Sequence, residues 1–281
     1  MNTLFLFSQA SFSCSHSVTR KYSTSFSSAI QLLHPDLRDP IMGIYGFVRL
    51  ADEIVDTFHD FDKRALLEKF EEDTFTAIAQ GISLNPILQS FQLVVCQYRI
   101  QKALISAFFR SMFTDLEKKE WKNEQELKDY IYGSAEVVGL MCLQVFCEGN
   151  EALVKQLAPA ATALGSAFQK VNFLRDIRDD MESLDRQYFP NVDFNRFSAA
   201  DKKSIEDDIL RDFKAALRGI EGLPPKARFG VYVAYRYYLC LFQKIRSLPP
   251  EVVMKRRVRV PNMQKLLLVL RLTIMRKLHF T

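Results

Sequence analysis

Two short acidic clusters constrain what this chain of 281 residues can fold into. Each cluster contains two aspartates four residues apart, Asp52 with Asp56 and Asp176 with Asp180. Residues at this spacing lie one above the other on an α-helix, where like charges repel by about 0.2–0.5 kcal/mol. A chain that repeats this arrangement inside otherwise apolar helices is expected to compensate it with cations.

Each aspartate pair continues a polar stripe of its helix. The first stripe contains Tyr45, Arg49, Asp52 and Asp56, and the second contains Gln169, Asn172, Asp176 and Asp180. All members of a stripe recur at three or four residues, which keeps them on one helix face. Oxygen-rich sites of this kind suit Mg²⁺, which favours one or two carboxylates together with substrate phosphates, and Mn²⁺ is the alternative ion. The pattern therefore predicts a site for Mg²⁺ and phosphate.

A single Asp-x-x-x-Asp on a helix is more often a solvated face, and the flanking residues decide against that reading. The second helix is apolar on nearly every other side, through Ala163, Leu164, Ala167, Phe168, Val171, Phe173, Leu174 and Ile177. Such a helix is expected to be buried. Gly165 and Thr162 continue its polar stripe with small side chains, so the stripe is expected to line a cavity.

The rest of the sequence predicts an all-α protein with one domain over residues 1–281. Apolar residues fall mostly at helical spacing, and Gly and Pro are sparse. Helix starts are predicted at Asp39-Pro40, Asn85-Pro86 and Pro261-Asn262, because an N-cap residue precedes or joins a proline there. The second acidic helix is predicted over residues 151–185.

Several function classes are disfavoured. The five cysteines are scattered and odd in number, which favours reduced thiols in a cytoplasmic protein over disulfides or zinc. No segment reaches 18 consecutive apolar residues, so no membrane span is expected. The sequence also lacks the glycine-rich loops that bind nucleotide phosphates. Phosphate binding would have to come from metal and basic side chains.

The positive charge is concentrated at the C-terminus. The net charge is +5, yet residues 255–281 contain eight Lys or Arg and no acid. These cations alternate with aliphatic residues, which fits a helix that caps the core or a peripheral contact with a membrane surface better than nucleic-acid binding. Lys265, Arg271 and Lys277 are predicted to face anionic lipid.

Five fragments, taken in order, resemble the squalene and phytoene synthases, which join two prenyl diphosphates head to head. They are Tyr22-Ser23-Thr24-Ser25-Phe26, the acidic segment from Tyr45 to Asp56, the segment from Tyr130 to Gly139, the acidic segment from Gln169 to Asp180, and Arg186-Gln187-Tyr188-Phe189-Pro190. The resemblance extends over nearly the whole chain. The resemblance implies a helical bundle of the isoprenoid synthase type with a central cavity.

The resemblance also implies roles for individual residues. Mg²⁺ would bridge the substrate phosphates to metal ligands, which are Asp52, Asp56, Asn172, Asp176 and Asp180. Arg49 and Tyr45 would join the four aspartates as catalytic residues, with Arg49 clamping phosphate oxygens, although Arg49 could instead only pair with Asp52. The residues implied in substrate binding are Ser23, Ser25, Phe26, Tyr130, Gly139, Gln169, Asn172, Tyr188, Tyr238 and Arg256.

Within the family, the acidic segments and the segment from Arg256 to Pro261 look most like phytoene synthases. This favours two geranylgeranyl diphosphates as substrates, phytoene as product and no requirement for NADPH. The alternative is a squalene or dehydrosqualene synthase that acts on farnesyl diphosphate. A non-catalytic assembly protein of the same fold is a third reading, disfavoured because both aspartate pairs, Arg49, Gln169 and Asn172 are present.

Overall fold

The computed structural model describes residues 3–183, 186–190 and 192–278. The regular structure of these residues is helical apart from one isolated β-bridge between Glu120 and Gln187. The prediction of an all-α fold is confirmed. None of the described helices combines the length and apolarity needed to cross a membrane.

The helices follow one another with short connections. They are α1 (Thr3–Tyr22), α2 (Thr24–Ile30), α3 (Pro35–Asp56), α4 (Lys63–Gln80), α5 (Pro86–Tyr98), α6 (Lys102–Glu117), α7 (Glu124–Ile131), a π-helical turn (Tyr132–Glu136), α8 (Val137–Phe146), α9 (Glu151–Ser183), a 3₁₀ turn (Phe194–Arg196), α10 (Ala199–Gly222), α11 (Pro225–Arg246), α12 (Pro250–Val253) and α13 (Asn262–Leu278).

Two of the predicted helix starts are confirmed. The Asn85 side chain accepts hydrogen bonds from the backbone N–H groups of Ile87 and Leu88, with Pro86 at the first helical position. The last helix begins at Asn262, directly after Pro261. The second acidic helix α9 extends to Ser183, and residues 184 and 185 lie outside the described residues.

The predicted start at Asp39-Pro40 is wrong. Helix α3 begins at Pro35, which takes the first helical position after His34, and Pro40 lies inside the helix. Pro40 cannot donate to the carbonyl of Asp36, so the helix loses one backbone bond near its beginning. The earlier start gives α3 a length of 22 residues, so its polar stripe continues into an apolar stretch that runs deep into the bundle.

A π-helical turn lies between α7 and α8. Turns of this kind are rare and are frequent at functional sites. Helix α9 approaches the turn closely at Gly165, where an added Cβ would lie 2.8 Å from the carbonyl oxygen of Ala135 and 3.0 Å from the Cα of Glu136. Only glycine permits this approach, which fixes α9 against the turn.

An aromatic cluster connects α3 to the three helices that follow it. Phe47 of α3 stacks on Phe91 of α5, with ring centroids 3.8 Å apart, and also contacts Phe70 of α4. Phe108 and Phe109 of α6 complete the cluster, at 5.4 and 5.7 Å from Phe47. Phe47 has no exposed surface. The position of α3, and with it the first aspartate pair, therefore depends on this cluster.

We expect Phe47→Ala to lower the free energy of unfolding by about 3–5 kcal/mol, because it removes a buried ring and leaves a cavity between four helices. The measurement is urea denaturation followed by circular dichroism. Phe61→Ala is the control, since the Phe61 side chain is 67% exposed, and it should change the stability by at most about 0.5 kcal/mol. Equal effects of the two substitutions would contradict the central role of Phe47.

Candidate active site

The bundle encloses a cavity of about 570 Å³ that is polar at one end and apolar at the other. Helices α2, α3, α8, α9, α10 and α11 contribute to its wall, together with the π-helical turn. The polar end lies where α3 and α9 approach their C-terminal ends. It contains Arg49, Asp52, Asp56, Asp115, Asn172, Arg175, Asp176, Asp180, Arg186 and Arg257.

The two aspartate pairs share this polar end and repel each other. Burial, reinforced by the neighbouring charge of Asp56, raises the pKa of Asp52 to about 7. Burial also raises the pKa of Asp180 to about 7, with further contributions from Asp176 of the same helix and Asp56 of α3. The two pairs thus face a common space as a concentration of negative charge.

Arginines compensate part of this charge. Arg186 donates to Asp56 at 3.2 Å, and Arg175 donates through Nε to Asp176 at 2.9 Å. Arg257 approaches Asp176 from the segment before α13, with Nε 2.8 Å from Oδ1. Arg49 pairs with Glu53 and lies 3.9 Å from Asp52. The arginines come from different parts of the chain and converge only in the folded protein.

The donor set fits Mg²⁺. Among the residues that the structure describes, no three acidic, histidine or cysteine side chains converge closely enough to bind an ion on their own. Each aspartate pair offers two carboxylates, and Mg²⁺ commonly takes one or two carboxylates and completes its shell with water and substrate phosphate. The desolvated, mutually repelling carboxylates are the groups that a divalent cation stabilises. Asp52, Asp56, Asp176 and Asp180 would hold such ions.

A buried carboxylate lies behind the first aspartate pair. Asp115 is hydrogen-bonded to the Tyr130 hydroxyl, and its pKa is raised to about 7 by burial, against the opposing effect of Arg186. Arg186 also donates to the backbone carbonyl of Asp115 at 2.9 Å. This network fixes Tyr130 and Arg186 at the cavity wall, and Arg186 in turn reaches Asp56.

Aromatic rings line both sides of the cavity next to the polar end. On one side Phe168 stacks on Tyr238 with centroids 3.8 Å apart, and Phe26 lies 5.7 Å from Tyr238 and 6.0 Å from Tyr45. On the other side Tyr188 stacks on Phe173 at 3.8 Å and lies near Trp121 and Tyr130. These π faces could stabilise a cation without offering a strong nucleophile.

The far end of the cavity is apolar and built largely from small and aliphatic side chains. It includes Ala29, Leu33, Cys142, Leu143, Phe146, Leu157, Ala160, Ala161, Ala216, Gly219, Ile220, Leu223, Gly230 and Val231. Along α9 the wall continues from Asp176 back to Leu157, which corresponds to roughly 28 Å at 1.5 Å per residue. The cavity is therefore suited to a long apolar chain with an anionic head that would bind through the arginines and divalent cations.

Most of the residues predicted for the site line this cavity. They are Ser23, Phe26, Tyr45, Arg49, Asp52, Asp56, Tyr130, Gly139, Gln169, Asn172, Asp176, Asp180, Tyr188 and Tyr238. Asn172 accepts a hydrogen bond from the Tyr238 hydroxyl at 3.3 Å. Ser25 and Arg256 are not part of the wall, and Arg256 is exposed. The neighbouring Arg257 takes the place in the site that was predicted for Arg256. The roles of the lining residues stay predictions.

The sequence did not point to several residues at the polar end. Arg175 and Arg257 each adjoin a predicted site residue, so their motifs contained a signal. The guanidinium carbon of Arg49 lies over the Tyr22 ring, 4.3 Å from its centroid. Tyr22 is also the first residue of a matched motif. Asp115 lies near the end of α6 outside every matched motif, and only the fold brings it to Arg186.

The comparison with protein families decides the relationship. The family model described as squalene/phytoene synthase matches residues 19–264. The chain belongs to the squalene/phytoene synthase family. The predicted relationship is confirmed, as is the prediction of a prenyltransferase related to phytoene synthases.

Individual relatives agree with the family model. A 15-cis-phytoene synthase of Paracoccus sp. is 24% identical over 253 residues, which cover 83% of this chain and 82% of the relative. A 15-cis-phytoene synthase of Synechocystis sp. is 28% identical over 287 residues, covering 89% and 80%. Phytoene synthase 3 of Zea mays is a longer protein, and the match of 204 residues at 27% identity covers 72% of this chain and 48% of that protein.

Solved structures share the fold. A dehydrosqualene synthase in complex with a ligand superimposes with a TM-score of 0.84 at 20% identity, covering 97% of this chain and 99% of that one. A squalene synthase from Alicyclobacillus acidocaldarius gives a TM-score of 0.72 at 20% identity, covering 85% and 94%. These similarities confirm the isoprenoid synthase type of bundle for this family member.

The raised pKa values of Asp52 and Asp180 lead to a prediction of how Mg²⁺ would affect the stability of this protein at different pH values. Their ordinary pKa is 3.8, so between about pH 4 and pH 7 the folded state binds more protons than the unfolded state, and stability falls as the pH rises. Millimolar Mg²⁺ should therefore raise the melting temperature at pH 8 more than at pH 5, because its ligands must be ionised. A gain of about 1 kcal/mol corresponds to roughly 2–4 °C for a chain of this size.

The measurement is differential scanning fluorimetry with and without Mg²⁺ at both pH values. The double variant Asp52→Asn/Asp180→Asn should be more stable than the wild type at pH 8 without Mg²⁺ and should lose most of the Mg²⁺ effect. Asp60→Asn, at an exposed position outside the cavity, should leave both effects unchanged. A Mg²⁺ effect of the same size in the double variant would contradict the assignment of the carboxylates.

Proposed function

We propose that this protein condenses two molecules of geranylgeranyl diphosphate head to head into phytoene, through a cyclopropylcarbinyl diphosphate intermediate, with Mg²⁺ and without a reductant. The observation that carries the proposal is the length of the apolar cavity behind an acidic, arginine-rich end. Curated relatives named phytoene synthase support the choice of product. The predicted cytoplasmic location, the peripheral lipid contact and the single domain stay predictions.

The depth of the cavity favours a tail with 20 carbons. The wall extends roughly 28 Å along α9 between Asp176 and Leu157. At roughly 1.2 Å per bond, an extended geranylgeranyl tail measures about 19 Å and a farnesyl tail about 14 Å. The longer tail leaves about 9 Å for the diphosphate and its ions, whereas the shorter tail would leave part of the apolar end without contacts, at a cost in dispersion energy.

At the polar end the chain's own residues bind and orient the diphosphate. When bound, Mg²⁺ would neutralise the charge of the diphosphate and of the four aspartates. Arg49, Arg175 and Arg257 offer planar guanidinium groups, which can each hold two phosphate oxygens. These donors are fixed before the reaction, so they stabilise the diphosphate as its bond to carbon breaks and its negative charge grows.

The departure of diphosphate leaves an allylic cation between the two aromatic walls. Phe26, Phe168 and Tyr238 present π faces on one side, and Tyr130 and Phe173 on the other. Burial raises the pKa of Tyr45 to about 12 and that of Tyr130 well above 10, so both hydroxyls stay protonated and are poor nucleophiles. The second tail's double bond is then the available electron donor. Its attack forms the new carbon–carbon bond, and loss of a proton to the released diphosphate closes the cyclopropane ring. The cyclopropylcarbinyl diphosphate then loses its own diphosphate, rearranges and gives up a second proton to form phytoene.

The alternatives are less well supported. A non-catalytic role would leave both aspartate pairs and the converging arginines without a function. An enzyme for farnesyl diphosphate would use the same polar end and would differ only in how far the tails reach. The two substrates are therefore distinguished by experiment.

The purified protein should convert geranylgeranyl diphosphate to a C40 hydrocarbon in the presence of Mg²⁺, at the same rate with or without NADPH. The measurement is extraction of the hydrocarbons and chromatography with mass detection. EDTA or Asp176→Asn should lower turnover by on the order of a hundredfold, since either change removes charge stabilisation of the leaving diphosphate. Glu182→Gln, on the same helix but with an exposed side chain, should leave turnover unchanged.

A C30 product formed with stoichiometric consumption of NADPH would replace this proposal with a squalene synthase. Full activity in EDTA would exclude the metal-dependent mechanism.

Ala161→Phe should shift the preference from geranylgeranyl toward farnesyl diphosphate. Ala161 lines the deep half of the cavity on α9, and a phenyl ring there would occupy the space of the last isoprene units. A single methylene more or less in an apolar pocket typically changes discrimination by about 10- to 200-fold, so the larger phenyl ring should shift the relative kcat/KM by at least about tenfold. The test is competition between the two substrates, and retained turnover of the farnesyl substrate controls for folding. An unchanged preference would show that the tails do not reach Ala161.

A further inference from the structure

The last helix, α13, carries apolar residues on two opposite faces. The inner face packs on the bundle, where the buried Leu272 joins Ala29, Val233 and Tyr237, with Leu268 and Val269 beside it. The outer face contains Met263, Leu266, Leu267, Leu270 and Ile274, whose exposed fractions range from 48% to 66%. At 100° per residue these five positions fall within a stripe about 100° wide, opposite Leu272. A continuous apolar stripe of this kind is uncommon on a solvated helix.

The outer face begins near the place where the cavity opens, beside Tyr22, which lines the cavity and is 50% exposed. Lys265, in the first turn of α13, donates to the Thr24 hydroxyl at 3.3 Å, and Thr24 follows Ser23 of the cavity wall. Burial and the neighbouring Arg175 lower the pKa of Lys265. Lys265 therefore points toward the bundle, and its predicted orientation toward lipid is wrong. The side chain of Lys277 lies outside the described residues.

The surroundings of this face are basic. No acidic residue occurs between Lys255 and Leu278. Lys255, Arg256, Arg259 and Arg271 are exposed. Arg20 and Lys21 are also exposed and directly precede Tyr22, which lines the cavity. Exposed cations therefore occur both on the segment that carries the outer face and directly before the wall residue Tyr22.

We propose that the outer face of α13, with these exposed cations, docks on the surface of an anionic lipid bilayer and holds the cavity opening against it. An apolar stripe bordered by Lys and Arg is the arrangement by which helices lie in a membrane interface, with their apolar side in the acyl boundary and their cations among the head groups. Each cation near an anionic surface adds to the attraction, which salt screens. The docking itself does not depend on the proposed reaction.

A second copy of the chain fits this face less well. An isologous contact would bring the same cations of two molecules together. The face is also small, because a helix of 17 residues is about 25 Å long and about 10 Å wide, far below the roughly 800 Å² per partner of a stable interface. A fluid lipid surface imposes no such requirement.

Docking has a consequence for substrate supply, and this part rests on the proposed function. Prenyl diphosphates with long tails partition into bilayers with their head groups at the surface. An opening held at that surface would receive the substrate from the membrane and return the hydrocarbon product to it without passage through water.

The test is co-sedimentation of the full chain with vesicles of phosphatidylcholine alone or of phosphatidylcholine with about 30% phosphatidylglycerol, which makes the vesicle surface anionic. The wild type should bind the anionic vesicles and be largely released by high salt. Leu266→Ser/Leu267→Ser/Leu270→Ser should lower the partition coefficient at least tenfold. Ile82→Ser/Leu84→Ser is the matched control, because it removes exposed apolar side chains between α4 and α5, and it should bind like the wild type.

Circular dichroism and turnover of detergent-dispersed substrate should be the same in all three proteins, since the replaced side chains are exposed and outside the cavity. With substrate supplied in vesicles, only the α13 variant should lose turnover.

Equal sedimentation of wild type and α13 variant, or no sedimentation of the wild type, would overturn the proposal. A dimer in light scattering that becomes a monomer in the α13 variant would overturn it as well, by assigning the face to a second copy. Vesicle binding without any hydrocarbon product would uphold the docking and reject the proposed function.

Discussion

The repulsion between carboxylates of α3 and α9 is the interaction on which the rest of this structure depends. Asp52 and Asp56 face Asp176 and Asp180 across the polar end of a cavity whose walls are otherwise apolar. Within the described residues, Asp115 and Glu53 add further acids, so carboxylates outnumber the arginines that reach them. A site of this composition is costly without additional positive charge and becomes favourable with it. Divalent cations and a diphosphate together supply balanced charge, and this explains why metal and substrate would bind as a unit.

The scaffold holds the two helices against this repulsion. The Phe47 cluster ties α3 to α4, α5 and α6, and Gly165 lets α9 rest on the π-helical turn. On its outer side α9 is tied to α10 through Lys170, which pairs with Asp208 and Asp212. These contacts lie outside the polar end, so the separation of the aspartate pairs is set before any ligand arrives. Preorganisation of this kind lets binding energy go into the reaction rather than into ordering the site.

The sequence predicted the features that depend on local spacing. Stripes at helical intervals identified the aspartate pairs, Tyr45, Arg49 and Asn172 as neighbours, because a helix brings such residues together wherever it lies. The start of α3 was mispredicted because Asp39-Pro40 has the stronger local signature of a helix start, since Asp is a preferred N-cap residue and His34 is not. A proline is nevertheless tolerated inside the helix near its beginning. The π-helical turn has no distinct local pattern. It follows from close contacts of Gly133 with α6 and of Gly165 with the turn, which are tertiary.

Local spacing also could not predict the contacts between distant segments, because these contacts are tertiary as well. Asp115 and Arg186 meet only because α6 and the segment after α9 converge, and nothing in the sequence around Asp115 distinguishes it from a solvated acid. Arg256 and Arg257 differ by one position, and the direction of each side chain depends on how the segment before α13 enters the site. The sequence therefore identified the basic segment, whereas the tertiary fold determines that Arg257 rather than Arg256 lines the cavity.

Burial has two effects at this site, one on the aspartates and one on the tyrosines, and both favour the proposed reaction. Removing water raises the pKa values of Asp52 and Asp180 and so strengthens their demand for cations. The same removal of water raises the pKa values of Tyr45, Tyr130 and Tyr188 and keeps their hydroxyls neutral. A phenolate in this place would attack a carbocation, whereas a neutral ring stabilises it through its π face. In the proposed reaction, the low polarity that would make the acidic end depend on metal would also keep the neighbouring walls from reacting with the carbocation, so both halves of the proposed chemistry follow from one physical property of the cavity.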